Sequence, residues 1–238
     1  MHYISILSTI VSFFFAAAVF NRYRQRGGLH LLFWTIGLVL YGLGTLTEVV
    51  MLFTFNALAL KVWYLSGAML TAAWLGQGSV NLLVRKRGTA RVLNISLLIV
   101  SLAALLLIFF APITAAAASF NPSDPVSSQY KEILVRSGLI TFLTIFLNLY
   151  GTVTLVGGAT YSAFLFWRKK VLLNRMLGNI LIAAGALMPA MGGSFLKAGL
   201  PDWLYLSEFL GVLVMYVGFV QATAPQPAQA AAAVSTGD

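Results

Sequence analysis

The sequence predicts an all-α, polytopic membrane protein, a bundle of seven transmembrane helices, and three observations carry that expectation. The 238 residues are 60% hydrophobic and only 9% charged, against roughly 25% charged in ordinary soluble domains. Mean hydropathy is +0.90. The apolar residues gather into seven long stretches, and short clusters of Lys and Arg punctuate alternate gaps between them. A soluble fold of this length has no means of hiding so much apolar surface, so lipid is the solvent.

A span needs about 20 mostly apolar residues. Taken in order, the stretches are about Tyr3–Phe20, Leu29–Phe53, Leu58–Val84, Val92–Phe110, Ile133–Trp167, Val171–Leu196 and Trp203–Gln221. The first has no basic residue ahead of it, as a signal peptide would, and reads as a retained span. At about 1.5 Å per residue the fifth is about 52 Å long, so its outer turns project beyond the lipid or it bends near Gly157 and Gly158. Pro189, followed by Gly192 and Gly193, is expected to kink the sixth. The connection of about Ala111–Lys131 carries the turn residues Asn121, Pro122, Ser123, Asp124 and Pro125. Beyond Gln221 the Ala-, Gln- and Pro-rich tail, 222–238, reads as a disordered cytoplasmic extension of the transmembrane domain, 1–221.

Charge sets the orientation. Arg22, Arg24 and Arg26 follow span one; Arg85, Lys86, Arg87 and Arg91 follow span three; Arg168, Lys169, Lys170 and Arg175 follow span five or open span six. Eleven of the 15 basic residues thus occupy alternate connections. The positive-inside rule makes those connections cytoplasmic, with the N-terminus outside and the C-terminus inside a plasma membrane. The net charge of +9 is then an orientation signal, and no nucleic-acid partner is expected. The same clusters, Arg22, Arg24, Arg26, Arg85, Lys86, Arg87, Arg168, Lys169 and Lys170, are placed to meet anionic lipid headgroups.

The acids gather at the opposite end: Glu48, Asp124, Glu132, Asp202 and Glu208, with only Asp238 inside. Ionisable residues within spans usually face the bundle interior or a cavity. Glu48 and Glu208 fall at comparable depth, with Lys61, Arg136 and Lys197 in the same zone. One reading is an outward-facing polar pocket for a small ligand or cation. The other is a set of salt bridges tying helix ends together. Gln77, Ser79, Asn81, Asn148, Tyr150, Thr152, Thr154, Asn174 and Asn179 admit two readings as well. Gln77, Asn81, Asn148 and Asn179 mark a polar path toward the cytoplasm, or the set makes interhelical hydrogen bonds. Ala68, Ala72 and Gly76 form a small-residue stripe suited to close helix packing. Trp34, Trp63, Tyr64, Trp167, Trp203 and Tyr205 read as the interfacial aromatic belt, and Trp74 as packing.

Several functions drop out. Cys is absent, which removes disulfides, thiolate metal sites and Cys nucleophiles. The two histidines, His2 and His30, lie at opposite ends of the first hairpin, so a bis-His haem is not expected, nor any metal or cofactor. The last span has no Lys for a retinal Schiff base, and no hydrolase or nucleotide motif is present. A non-enzymatic protein is expected.

Leu29–Gln77 aligned with Lys170–Gly218 brings Gly37 onto Gly178, Gly44 onto Gly185, and Tyr64-Leu65-Ser66 onto Tyr205-Leu206-Ser207. Read as a repeat, spans one to three recur as spans five to seven in the same orientation about span four. SWEET-type transporters share that parallel architecture, though the PQ dipeptide of those proteins is not found at the corresponding spans.

Trp34, Tyr41, Gly44 and Glu48, followed by Lys61-Val62-Trp63-Tyr64-Leu65-Ser66-Gly67, resemble the seven-helix sensor module at the N-terminus of bacterial histidine kinases. The resemblance covers about 35 residues and implies a membrane-embedded sensing or relaying bundle. No kinase follows Gln221, so a signal would pass to a separate membrane or cytoplasmic partner. The expected function is therefore a sensory or interaction module. A small-solute transporter and a structural subunit of a membrane complex are the alternatives.

Overall fold

The computed structural model describes residues 3–84, 86–169 and 173–224. His2, Arg85, Lys170 and tail residues 225–238 lie outside the described residues, as do the side chains of Arg87 and Lys197. The fold is an all-helical membrane bundle, with no strand among the described residues. The long helices are α1 (Ile4–Arg26), α2 (Leu29–Met51), α3 (Ala57–Leu83), α4 (Arg87–Phe110), α6 (Gly138–Arg168), α7 (Leu173–Ala190) and α9 (Pro201–Thr223). Two short helices, α5 (Val126–Ile133) and α8 (Gly192–Lys197), lie between them.

Six of these helices are long and apolar enough to cross a membrane among the described residues, and α7 is not one of them. The stretch expected as one span over Val171–Leu196 is instead α7 and α8, separated at Met191. Pro189 lacks the amide needed for the last turn, which explains the early stop. The fifth span also differs from expectation. Ile133 belongs to α5, and α6 starts at Gly138 with Ser137 Oγ accepting from the Ile140 amide at 3.3 Å. From there it runs unbroken through Gly157 and Gly158 to Arg168.

Gly27 and Gly28 form the two-residue link from α1 to α2, with φ of 66° and 102°, a region that side-chain-bearing residues rarely enter. Asn56 caps α3 by accepting from the Ala59 amide at 2.9 Å. Residues Tyr64–Leu70 of α3 form a π-helical segment, and the Thr71 hydroxyl donates back to the Ser66 carbonyl at 2.8 Å. Such mid-helix π turns are rare and occur often at functional sites.

Six helices close a ring. α1 packs on α2 and α9, α2 on α3, α3 on α6, α6 on α7, and α7 on α9. Glycines allow the tightest crossings: a Cβ on Gly44 would lie 2.8 Å from Gly67 Cα, and one on Gly151 only 2.1 Å from the Ala72 carbonyl carbon. The Ala68, Ala72 and Gly76 stripe thus faces α6. α7 and α9 run antiparallel through Gly178 against Gly218 and Gly185 against Gly211. α4 stands outside the ring and leaves Ile99, Leu102 and Phe110 exposed, as a lipid-facing helix does.

The connection between α4 and α6 is more than a turn. The Asn121 side chain accepts from the Ser123 amide (3.0 Å) and donates to Asp124 (2.8 Å). α5 then lies over one end of the ring, with Val126, Ser127 and Ile133 buried. It is held by the Val126 amide donating to the Tyr205 hydroxyl at 3.2 Å, and by the Thr114 amide to the Ile133 carbonyl at 2.9 Å.

Candidate functional site

Beneath α5 the ring encloses a cavity of about 390 Å³. Its walls follow from helical spacing. Tyr41, Gly44, Thr45 and Glu48 recur at three- and four-residue intervals and so share one face of α2. The π segment of α3 supplies Tyr64, Gly67 and Ala68, α6 supplies Thr144 and Asn148, and α9 supplies Leu204 and Glu208. Ser127 and Tyr130 of α5 form the roof. Leu75, Leu155, Ala186 and Met215 form an apolar floor that continues through Leu38, Phe15 and Phe219 toward the basic end of the bundle.

Both intramembrane acids expected at a site line this cavity. Glu48 is 3% exposed. One carboxylate oxygen accepts from the Trp63 indole Nε1 at 2.7 Å, the other from the Ser5 hydroxyl at 2.9 Å. Buried carboxylates require such donors. Beside this pair, Thr9 donates to Thr45 at 2.9 Å. Glu208 differs. The Tyr41 hydroxyl donates to its main-chain carbonyl at 2.8 Å, but no hydrogen bond or ion pair reaches its carboxylate among the described residues.

The basic residues expected near the acids are occupied elsewhere. Lys61 Nζ donates to the Phe109 carbonyl at 2.7 Å and sits 5.9 Å from that ring. The Arg136 guanidinium lies 5.0 Å from the Tyr130 ring centroid, on the roof helix. Burial pushes the Tyr130 phenol upward, against the opposing charge of Arg136. The Lys197 side chain is outside the described residues. No salt bridge ties the acids to these residues among those described.

The amides expected along a polar path divide into three places. Gln77 and Asn81 meet Asn94 in a closed cluster at 2.6 and 2.8 Å, with Tyr150 donating to Gln77. Asn148 sits in the cavity wall and donates to the Ala68 carbonyl at 2.7 Å. Asn179 donates to the Arg175 carbonyl at 2.7 Å on an exposed face. The basic side chains Arg24, Arg26, Lys86, Arg168 and Lys169 are exposed, and Arg22 is half-buried.

Several aromatic expectations need correcting. Trp63, Tyr64 and Tyr205 are buried rather than interfacial, because the cavity and the roof recruit them. Trp34 is half-buried, and its indole nitrogen has no partner among the described residues. Trp167 and Trp203 are exposed. Trp74 does pack internally, stacked 5.2 Å from Phe33 and donating to Ser101 at 3.1 Å. The site residues Ser5, Thr45, Ser127, Tyr130 and Thr144 were not singled out from sequence. A signal for the first existed: Ser5, Ser8, Thr9 and Ser12 form a hydroxyl stripe at helical spacing in an apolar helix.

Compared with known proteins, the chain matches no family model, no curated protein and no solved structure.

Proposed function

We propose that this chain is a non-enzymatic, seven-span sensory or interaction module of the plasma membrane that receives a small ligand in the roofed cavity. In this reading the α5 end faces outside and the basic end faces the cytoplasm. The observation that carries it is the cavity itself, which presents the Glu208 carboxylate, without a hydrogen-bond partner among the described residues, beside Glu48, each of whose oxygens accepts one hydrogen bond. A pocket of a few hundred Å3 with apolar walls and a few convergent polar groups is what small-ligand sites require. The π segment, which turns Tyr64 and Gly67 into the cavity, supports the same reading. At the basic end, exposed Arg and Lys side chains would meet anionic headgroups at about 1 kcal/mol each, beside any partner that takes up the signal.

The test exploits the absence of native Cys. Ala68→Cys, in the cavity wall, should react with a small membrane-impermeant thiol reagent added outside intact cells. No reaction from outside, with the protein folded and inserted, would remove the ligand-pocket reading.

A transporter remains the second reading, and one observation favours it. The ring order repeats: α2 packs between α1 and α3 as α7 packs between α6 and α9, with α4 between the units in sequence and outside the ring in space. The crossings repeat too, since Gly44 meets α3 where its counterpart Gly185 meets α9. Parallel repeats around a central site are a transporter architecture. Solute flux into proteoliposomes would establish it. A sealed apolar floor under all conditions would count against it.

A further inference from the structure

We infer that the cavity takes a small organic ammonium ion, its N–H donors meeting Glu208 and Ser127 and its body lying against Tyr41, Trp63 and Tyr64. The inference rests on the ligand-pocket reading above and specifies its chemistry. Glu48 and Glu208 both line the cavity, and no Lys, Arg or His does so among the described residues. Lys61 is committed to the Phe109 carbonyl, and Arg136 to the face of Tyr130. The two oxygens of Glu48 already accept hydrogen bonds; the Glu208 carboxylate does not among the described residues. Ser127, 3% exposed, also lines the cavity, and its hydroxyl has no partner among the described residues. Buried polar groups of this kind are nearly always satisfied. An ammonium N–H satisfies both an anionic and a neutral oxygen acceptor.

Size and walls select an organic cation over a bare metal ion. A water molecule's share of liquid volume is about 30 Å3, so a monatomic ion would leave most of about 390 Å³ unfilled. Aromatic faces also attract cations that carry an apolar body. An anion would meet two carboxylates here, and a neutral molecule would leave Glu208 without a counter-charge.

The experiment uses the full chain in maltoside micelles, which contain no competing ammonium headgroup. Binding is followed by tryptophan fluorescence and by thermal unfolding. The probes are 2-phenylethylammonium, its neutral counterpart 2-phenylethanol, the anion 3-phenylpropionate, and potassium chloride. We expect saturable binding of the ammonium, with the neutral and anionic probes on the order of tenfold weaker or absent. Glu208→Gln should weaken the ammonium by about the same factor and Ser127→Ala by less. Should Glu208→Gln fail to fold, the probe series on the unmodified chain and Ser127→Ala decide by themselves. Equal binding of 2-phenylethanol, or displacement by equimolar potassium, overturns the inference. So does absence of ammonium binding while Ala68→Cys stays reactive, which leaves the pocket reading standing. Loss of that reactivity as well removes both.

Discussion

Glu48 keeps a buried carboxylate because donors from two other helices meet its oxygens, Ser5 from α1 and Trp63 from α3. A charged hydrogen-bond group left without partners costs more than the bond itself contributes. Glu48→Gln retains an oxygen for the Trp63 indole and turns an amide toward Ser5, whose hydroxyl can accept it. Glu48→Leu leaves both donors stranded. The Leu variant should therefore be destabilised by about 1–3 kcal/mol and the Gln variant by clearly less. Denaturant unfolding in micelles gives the comparison, and a Leu variant as stable as the Gln variant would contradict it. The acid itself is legible in sequence, because an ionisable residue in an apolar span stands out. Its partners are not. Ser5 and Trp63 become neighbours only through the register between helices, which one sequence does not specify. The Ser127 hydroxyl, without a partner among the described residues, is hidden for the same reason, inside a connection that reads as turns.

At the scale of elements, glycines divide by what they face. On α6, a Cβ added at Gly151 would meet the α3 backbone at 2.1 Å, whereas one at Gly157 meets nothing within 4 Å. Both positions lie in one continuous helix, so both gain the same intrinsic preference for Ala over Gly, about 1 kcal/mol. Only Gly151→Ala must also push α3 away, and overpacking of that kind costs about 1–3 kcal/mol. Gly157→Ala should be neutral or stabilising and Gly151→Ala destabilising in the same unfolding assay. Equal effects would mean that α3 and α6 do not approach so closely in the membrane. The Ala68, Ala72 and Gly76 stripe and the break after Pro189 are readable in sequence because small residues and proline act locally. The π segment is not readable: Tyr64–Leu70 carries no proline or unusual run, and it coincides with the Gly44–Gly67 crossing and the Thr71 to Ser66 bond, which only the fold brings about. A bend at Gly157 and Gly158 is one of two ways for the long fifth stretch to fit the bilayer, but both lie within continuous helix, since glycine lowers helix preference without removing a donor.

For the whole molecule the open quantity is how many times the chain crosses the membrane, and α7 decides it. Its antiparallel contacts with α9, from Gly178 against Gly218 and Ala222 to Pro189 against Gly211, cover residues 178–189 of α7 and 211–222 of α9. A helix packed through most of its length on a spanning neighbour would share that neighbour's depth, even when Asn174, Arg175 and Asn179 dilute its hydropathy. Those residues sit toward the basic end of α7, where Arg175 is exposed, Asn174 accepts from the Gln221 amide at 3.3 Å and Asn179 donates to the Arg175 carbonyl at 2.7 Å. The long helices and the alternation of charge were legible because both are averages over many residues. The status of α7 was not, because a partly polar, proline-terminated stretch is ambiguous until its neighbours are known. Three single cysteines in the natively Cys-free chain settle the count: Ser123→Cys beside α5, Gly88→Cys at the start of α4, and Ala224→Cys after α9. Seven crossings with the basic end inside predict that an impermeant maleimide labels Ser123→Cys in intact cells, and the other two only after permeabilisation. The first pair depends on α4 alone and reports orientation. Ala224→Cys adds α6, α7 and α9, so if it is labelled from the same side as Ser123→Cys, α7 does not cross. In that case the ring, the repeat and the depth assigned to Glu208 all fall together, because α9 would then enter the membrane from the opposite face.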